Sequence, residues 1–238
     1  MELERTLREK LAAAHHIIHY QGIDDLLATH LSARIPDTDH LLITPLNICF
    51  EEVSASKLIK TDLEGNVIGD NGYRVMPQAT NIHASIYKKD SSIMSAMHTH
   101  SIYGTAVASL KCGLLYTNQH VLRFYGDVAY HELNGLALEN EGEEIAGSLG
   151  NKKVMILRNH GLLTTGKSVE EALYRMYYLE RVCKMQIKTL SANKELEEIP
   201  ELVCKKIKAQ FDSILSPKLE FLTLVKRIEG RSKVDYRD

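Results

Sequence analysis

Tryptophan is absent from this sequence of 238 residues, and cysteine and proline occur only four and five times. The cysteines, Cys49, Cys112, Cys183 and Cys204, are far apart and form no C-x-x-C pair. Disulfide-stapled scaffolds and cysteine-based zinc modules need closely spaced cysteines, so the sequence argues against both. We therefore expect isolated thiols, buried in a protein that works in a reducing compartment.

The chain also lacks a surplus of either charge and a long apolar run. It has 29 basic and 31 acidic side chains, a net charge of −2, and neither sign is gathered into a block. A nucleic-acid-binding surface would require a basic face, and a membrane span would require about 18 or more apolar residues in succession. The N-terminal sequence MELERTLREK is charged throughout, unlike a signal peptide. These absences predict a cytoplasmic protein with no nucleic-acid or membrane partner.

What the chain does contain is an alternation of helical and strand-like apolar patterns. Hydrophobic residues make up 44% of the sequence, enough for one large core. Periodicity predicts helices over 3–21, 78–88, 105–109, 138–148, 168–191 and 200–215. The same reasoning predicts strands over 29–35, 41–44, 93–100, 127–133 and 153–158, with two shorter β segments within 57–69.

The connections between these elements indicate the fold class. Several predicted strands are joined by turns too short for a crossover helix, which favours an α/β fold with a mixed sheet over an all-parallel one. No linker rich in glycine, proline or serine interrupts the pattern, and no internal repeat is present. We expect one domain over residues 1–215, followed by a basic, peripheral segment over 216–238.

Three of the eleven histidines form a candidate metal site. His98 and His100 stand two positions apart at the end of a predicted strand, so both rings point to one face, about 7 Å apart at the backbone. His160 follows a strongly apolar strand, and Gly161 after it permits a sharp turn. Three imidazoles without a fourth protein ligand would leave an open coordination position, as catalytic zinc sites do. A purely structural histidine pair is the alternative.

Most other histidines have ordinary structural explanations. For the histidines of the first helix, His15, His16 and His19, we expect surface or capping positions. For His40 and His131 we expect contact with solvent. His83 belongs to the helix beneath the candidate site and is expected to be packed and hydrogen-bonded. The sequence leaves the role of His120 open.

Several segments around these histidines resemble the class II aldolase/adducin family. They are HLSARIP (30–36), ITPLN (43–47), ASKLIKTDLEGNVIG (55–69), NIHASIY (81–87), HTHSIYGTAVASLKCGLL (98–115), LRNHGLL (157–163) and SVEEALYRMYYLE (168–180). The resemblance covers roughly residues 5–195 and is strongest to short bacterial proteins of the adducin-like branch.

The resemblance implies a three-layer α/β/α domain around a mixed, largely antiparallel sheet. Family enzymes cleave or epimerise small sugar phosphates through a zinc-stabilised enediolate, and commonly form cyclic tetramers with sites at subunit interfaces. Their three zinc histidines correspond to His98, His100 and His160. The implied cofactor is therefore Zn²⁺ or a similar divalent cation, and the implied partners are a small-molecule substrate and further copies of the chain.

Other positions depart from the family's enzymes. The acidic residue that transfers protons, four positions before the histidine matching His83, is Ala79 here, and the phosphate-binding serine pair is Pro77 and Gln78. The second phosphate loop, T-P-S-G-like in the family, reads Thr-Pro-Leu-Asn at 44–47. The metal ligands are thus retained, whereas the acid/base group and the phosphate cradle are lost.

The resemblance also suggests which side chains contact the substrate. Substrate-binding candidates are His30, which replaces a family asparagine, together with Thr44, Asn47 and Asn159. A substitute for the missing acid is needed, since loss of a general base costs a factor of about 10²–10⁴. The catalytic candidates are His120 and Tyr125, with His30 as a third.

Two functions are compatible with this pattern. The first is a metal-dependent lyase or epimerase acting on a small, non-phosphorylated hydroxy-carbonyl compound. The second is a non-catalytic binding or oligomerisation module, because adducin heads use this fold for assembly. Retention of three histidines favours the first, and Ala79 favours the second.

For self-association, we expect a homotetramer with the metal near a subunit boundary. The segment 114–126, LLYTNQHVLRFYG, combines aromatic residues with Arg123, a composition enriched at interface cores. In that arrangement His120 or Tyr125 would reach a neighbour's metal. The alternative is a loop folded back onto its own core.

Overall fold

A seven-stranded sheet forms the centre of the computed structural model, which describes residues 2–69, 71–138, 140–232 and 234–238. Its strands are β1 (His30–Arg34), β2 (His40–Ile43), β3 (Ile59–Asp62), β4 (Ser95–Thr99), β5 (Val128–His131), β6 (Val154–Leu157) and β7 (Gly161–Gly166). The helices of the described residues are α1 (Glu2–Tyr20), α2 (Pro77–Lys89), α3 (Ile102–Ala108), α4 (Glu141–Leu149), α5 (Val169–Leu190), α6 (Glu201–Ile214) and α7 (Pro217–Ile228). Short 3₁₀ helices cover Phe50–Glu52 and Gln119–Phe124.

The sheet is mixed and largely antiparallel, as predicted. Its strand order is β3-β2-β1-β4-β7-β6-β5, and every neighbouring pair is antiparallel except β5 and β6. That parallel pair is joined through α4, which supplies the crossover that parallel strands require. Of the candidate histidines, His98 lies on the central strand β4, His100 directly follows this strand, and His160 lies in the turn between β6 and β7.

Helices cover both faces of the sheet and complete a three-layer α/β/α fold. Successive strand residues point to opposite faces. On β4, Ala96 packs in the core formed with α2 and α4, whereas Met97 packs in the core formed with α1 and α5. Met155 and Ile156 of β6 divide in the same way. This alternation confirms the predicted burial of the central strands on both sides.

One strand and one α-helix of the described residues were not predicted from the sequence. Strand β7 is separated from β6 by three residues and begins and ends with glycine, so its short apolar run carries little strand signal of its own. Helix α7 lies in the segment expected to be peripheral, yet its residues Phe221, Leu224 and Ile228 are buried in the same core as α1 and α5. The chain end follows α7, with Tyr236 buried and its carbonyl accepting a hydrogen bond from the Ala55 amide at 2.9 Å.

The prediction of surface positions for His15 and His16 was wrong. Both rings are buried beneath α1, because this helix presents the two histidines on its core-facing side. The ring of His15 lies 2.7 Å from the Leu11 carbonyl and 2.8 Å from the Thr44 hydroxyl, and His16 Nε2 lies 2.8 Å from the Val53 carbonyl. Burial lowers the pKa of His15 to about 3, so its ring is neutral.

Of the expectations about buried and exposed cysteines and histidines, some are confirmed and others are wrong. Cys183 and Cys204 are buried as expected, whereas Cys112 is exposed. His131 is buried rather than solvated, with Nδ1 at 2.9 Å from the Ser148 hydroxyl. Among the helices of the described residues, none is long and apolar enough to cross a membrane.

Candidate metal centre

The end of β4 and the β6–β7 hairpin bring three histidines together. His98 lies on β4, His100 follows its last residue, and His160 lies in the hairpin. Nε2 of His100 is 2.8 Å from Nε2 of His98 and 2.8 Å from Nε2 of His160. The structure therefore brings the three predicted ligands to one point, with a ligand atom of each ring within 4.8 Å of the others.

The hairpin geometry depends on two residues beside His160. Asn159 has φ 55°, in the left-handed region, so the sharp turn falls on Asn159 and not on Gly161 as expected. Gly161 serves a different purpose. A Cβ added there would collide with the Thr99 carbonyl oxygen and touch the His100 ring, so glycine allows β7 to approach β4 beneath the cluster.

Hydrogen bonds on the far side of two rings determine where their lone pairs point. His98 Nδ1 lies 2.9 Å from the Leu162 carbonyl, which only accepts, so Nδ1 carries the proton. His100 Nδ1 faces the Asp25 carboxylate at 3.4 Å, which favours the same tautomer. Nε2 of each ring then has a lone pair and no proton to donate. Two lone pairs at 2.8 Å repel each other unless a cation lies between them.

The electrostatics of the cluster also favour neutral rings. Burial lowers the pKa of His98 well below its ordinary value and lowers that of His160 to about 4. Neutral imidazoles are the form that binds metal ions, and outer carbonyl or carboxylate partners such as Leu162 and Asp25 are typical of metal-bound histidines. The donor set thus fits a divalent ion such as zinc, with a coordination position left for a ligand.

A cavity of about 800 Å³ opens beside the cluster. Its polar lining residues are Asp25, His30, Gln78, His98, His100, Thr105, Ser109, Asn159 and His160. Its other lining residues are small or apolar and come from the loop before β1, from α2 and its preceding residue, from α3 and from the β5–α4 loop. Among the described residues that line it, none is a lysine or an arginine.

A chain of buried hydrogen bonds runs from the cavity wall into the core. The ring of His30 lies 4.9 Å from that of His98, and its Nδ1 is 2.7 Å from Nε2 of the fully buried His83. His83 Nδ1 is in turn hydrogen-bonded to the Ser32 hydroxyl, which lies 2.8 Å from the Tyr87 hydroxyl. His83 is thus packed and hydrogen-bonded as predicted, and it holds the His30 ring in place.

The comparison with known families now identifies the scaffold. The chain matches the family model described as Class II Aldolase and Adducin N-terminal domain over residues 9–187. It belongs to the class II aldolase and adducin family. The match takes in all three clustered histidines, and the family assignment made from sequence motifs is confirmed.

Relatives in this family include both bacterial proteins and adducins. A protein of Caulobacter vibrioides, named provisionally as a class 2 aldolase, is 41% identical over 196 residues, covering 82% of this chain and 76% of that protein. Alpha-adducin of Mus musculus is 37% identical over 194 residues, covering 79% of this chain but 26% of adducin. The shared region is therefore the family domain, and adducin extends far beyond it.

Solved structures share the fold over nearly the whole chain. An aldolase II superfamily protein from Pseudomonas syringae has a TM-score of 0.94 and 39% identity, with 100% of this chain and 97% of that chain covered. L-fuculose 1-phosphate aldolase from Glaciozyma antarctica PI12 has a TM-score of 0.86 and 30% identity, with 96% and 92% covered. The first match includes the C-terminal helices α6 and α7.

Ala79, at the position where the resemblance leads us to expect an acid, does not line the cavity. It is buried in a small apolar cluster with Ile43 and Ile59. Its neighbours Met76 and Gln78 do line the cavity. The replacement of a family acid at this position stays a prediction, and the structure adds that the packing around Ala79 is apolar.

The predicted substrate-binding residues fall into two groups. His30 and Asn159 line the cavity beside the metal cluster. Thr44 is buried on the α1 side, where its hydroxyl accepts a hydrogen bond from the Leu31 amide at 2.7 Å and faces His15. Asn47 is exposed in a loop with φ 64° and does not line the cavity. Of these four residues, therefore, only His30 and Asn159 line the cavity of a single chain.

The predicted catalytic residues His120 and Tyr125 lie away from the cavity of their own chain. They belong to the 3₁₀ helix Gln119–Phe124 and the residue after it, and this segment packs against α5 and α6. Arg123 donates to the Tyr174 hydroxyl at 2.6 Å and lies 3.5 Å from the Tyr178 ring centroid.

The same packing supports the alternative interpretation of residues 114–126, a loop folded back onto its own core. Leu114, Leu122 and Phe124 are buried in the core of their own chain, so these apolar side chains fold back rather than face a partner. Aromatic residues and arginine occur together here because they pack against α5 and α6. Contact of His120 or Tyr125 with a neighbouring copy stays a prediction.

Sequence reasoning did not identify Asp25 as part of the site. Its carboxylate faces His100 from the loop between α1 and β1, 75 residues earlier in the chain. No spacing rule connects two residues so far apart, and only the packing of that loop against the end of β4 brings them together.

Proposed function

We propose that this chain is a divalent-metal-dependent lyase or epimerase of the class II aldolase type, acting on a small hydroxy-carbonyl compound without a phosphate group. The observation that carries the proposal is the convergence of Nε2 from His98, His100 and His160 at the wall of a cavity. A scaffold without a ligand has no need for two unprotonated nitrogens held against each other. When bound there, a divalent ion, with zinc the expected one, supplies Lewis-acid polarisation of a carbonyl oxygen.

The chain's own residues supply binding and proton transfer. Nδ1 of His30 is engaged by His83, which leaves Nε2 as the nitrogen available to a ligand in the cavity. In the proposed mechanism this Nε2 accepts the proton that leaves the carbon beside the carbonyl. It thereby takes the role of the family acid, which is absent at Ala79. The amides of Gln78 and Asn159 line the same space and can hydrogen-bond the hydroxyl groups of the substrate.

Exchange of a carbon-bound proton with solvent tests this assignment without knowledge of the full substrate. The zinc-loaded protein should exchange the α-protons of hydroxyacetone or dihydroxyacetone for deuterium in D₂O, followed by proton NMR. His98→Ala should abolish exchange, and His30→Asn should slow it about 10²–10⁴-fold while zinc stays bound. Zinc-loaded protein that exchanges neither compound would refute the lyase or epimerase proposal.

Sugar phosphates provide the complementary test. L-fuculose 1-phosphate should be cleaved far more slowly than about 1 s⁻¹, the lower end of ordinary enzyme turnover. The reason is that Pro77 and Gln78 stand where the family's phosphate-binding serines would be. Turnover at or above that rate in a coupled assay would contradict the non-phosphorylated substrate.

A non-catalytic binding or assembly module is the second candidate. The specific observation in its favour is Ala79, buried against apolar residues where family aldolases have an acid, together with the match to alpha-adducin. Zinc binding without any proton exchange would favour this function. Exchange that depends on His30 would exclude it.

We also propose that the chain assembles as a homotetramer with its metal centre near a subunit boundary. The support is the resemblance to tetrameric family enzymes and the exposure of large apolar side chains on the single chain, including Leu26 at 76%. Light scattering should give a mass of about 108 kDa, four times the 26.9 kDa of one chain. A mass of one chain at micromolar concentration would contradict it.

A further inference from the structure

The cavity beside the histidine cluster is lined by both polar and aliphatic side chains. His30, Gln78 and Asn159 are among its polar lining residues and can bind a hydroxy-carbonyl group. The aliphatic side chains come from three separate elements, namely Ile82 of α2, Ile102 of α3, and Leu133 and Leu136 of the β5–α4 loop. Convergence of three elements on one apolar surface indicates that something other than the polar group of the substrate is recognised there.

The size of the cavity supports the same conclusion. About 800 Å³ is near the upper end of ordinary small-molecule sites and far exceeds the needs of a two- or three-carbon compound. Ile102 and Leu136 line this cavity and are 77% and 75% exposed in the single chain, so most of their apolar surface is left uncovered by the chain's own residues. A ligand that covers this surface gains affinity by removing it from water.

The lining of the cavity argues against a phosphate group as its occupant. Phosphate is best held by cationic side chains or by the backbone N–H groups at the start of a helix, because burying an unpaired charge is costly. None of the described lining residues is basic, and the nearby Arg158 donates to the Leu110 carbonyl at 2.8 Å and lies over the Tyr130 ring. The start of α2 at the cavity has Pro77 as its first residue, which lacks an N–H.

We infer that the substrate carries an aliphatic chain on its hydroxy-carbonyl group, and that Ile102, Leu133 and Leu136 are the residues that select it. This inference rests on the proposed metal-dependent function and specifies the class of its substrate. The polar end of the ligand lies toward the histidine cluster, and the carbon chain extends along the aliphatic side chains. Selectivity then follows from chain length and not from a charged end group.

A series of hydroxamates tests this inference by binding rather than by activity. Acetohydroxamate, butanohydroxamate and hexanohydroxamate share one zinc-chelating group and differ only in their alkyl chains. Isothermal titration into the full-length, zinc-loaded protein should show Kd falling about fourfold for each added methylene, from about 0.8 kcal/mol per buried CH₂. Phosphoglycolohydroxamate should bind no more tightly than acetohydroxamate.

Two substitutions on one loop distinguish selection from general apolar binding. Leu136→Asn should reduce the fold-change in Kd that each added methylene produces. Leu138→Asn is the matched control, since Leu138 is also exposed, at 65%, but does not line the cavity, and it should behave as the wild type. Both side chains are on the surface, so neither change threatens the fold.

The outcomes of these experiments distinguish failure of this inference from failure of the proposed metal-dependent function. Tight binding of acetohydroxamate with no gain from longer chains, or tighter binding of phosphoglycolohydroxamate than of acetohydroxamate, would overturn the inference and leave the metal centre standing. An equal loss of chain-length dependence in Leu138→Asn would also overturn it. Protein that binds no zinc, or zinc-loaded protein that binds no hydroxamate, would overturn the proposed metal centre and the inference together.

Discussion

Replacing His15 by glutamine should make the free energy of unfolding less dependent on pH between 7.5 and 5.0. The His15 ring is fully buried between the Leu11 carbonyl and the Thr44 hydroxyl, and it belongs neither to the metal cluster nor to the lining of the cavity. Burial lowers its pKa to about 3, whereas a histidine in the unfolded chain titrates near about 6.5. Glutamine keeps an amide that can reach the same two partners and does not titrate.

The direction and size of the effect follow from these two values. Because the folded pKa is the lower one, the unfolded state binds the proton first, and stability is lost as pH falls below about 6.5 toward 3. At pH 5.0 an unfolded histidine is almost fully protonated while buried His15 is neutral. The difference is worth about 2 kcal/mol relative to pH 7.5, where both forms are neutral.

Urea unfolding of the wild type and of His15→Gln at the two pH values measures this difference directly. Other buried histidines, such as His83, contribute equally to both proteins, so the comparison isolates His15. Ile17→Val on the same helix is the matched control, since it should lower stability by about 0.5–1.5 kcal/mol at both pH values. If wild type and His15→Gln lose the same stability between pH 7.5 and 5.0, the assignment of a neutral, desolvated His15 is refuted.

Three further predictions concern the metal centre and its supports. Elemental analysis should find about one zinc per chain. The variants His98→Ala and His160→Ala should lose this zinc while their circular dichroism spectra stay unchanged. Wild-type protein that binds no zinc when zinc is supplied would contradict the site. Gly161→Ala should lower the affinity for zinc, because the added Cβ meets the Thr99 carbonyl and displaces β7. Competition with a chelator measures this affinity, and an unchanged value would show that the close approach of β7 to β4 is unimportant for the site. Glu180→Ala should reduce stability to urea by about 1–3 kcal/mol, since its buried carboxylate accepts hydrogen bonds at the start of α3; a loss below about 0.5 kcal/mol would contradict that role.

The metal cluster illustrates what local sequence can predict. The side-chain alternation of a strand places His98 and His100 on one face whatever the rest of the fold, and the apolar run before His160 identifies a buried strand. Convergence of the two segments is a separate matter. It depends on β7 pairing with β4, and β7 was not predicted because its six residues, bounded by glycine, carry little signal of their own.

The polar surroundings of the cluster could not be obtained in the same way. His30 and His83 are 53 residues apart, and their hydrogen bond exists only because α2 packs against β1. Likewise, the aromatic and basic composition of residues 114–126 was typical of an interface, yet α5 and α6 occupy that role within the chain. The composition of a segment indicates the kind of surface it can pack against. It does not indicate whether that surface belongs to the same chain or to another copy.

The family, the α/β class with a mixed sheet and the three histidines of the candidate centre can be predicted from the sequence, because motifs and periodicity act over a few consecutive residues. The packing of distant segments determines which histidines are buried, that Asp25 faces His100, that Ala79 is enclosed by apolar residues and that aliphatic side chains line the cavity. Each of these depends on contacts between residues far apart in the chain. Burial and charge pairing are properties of such contacts, and a residue's neighbours in sequence do not specify its neighbours in space.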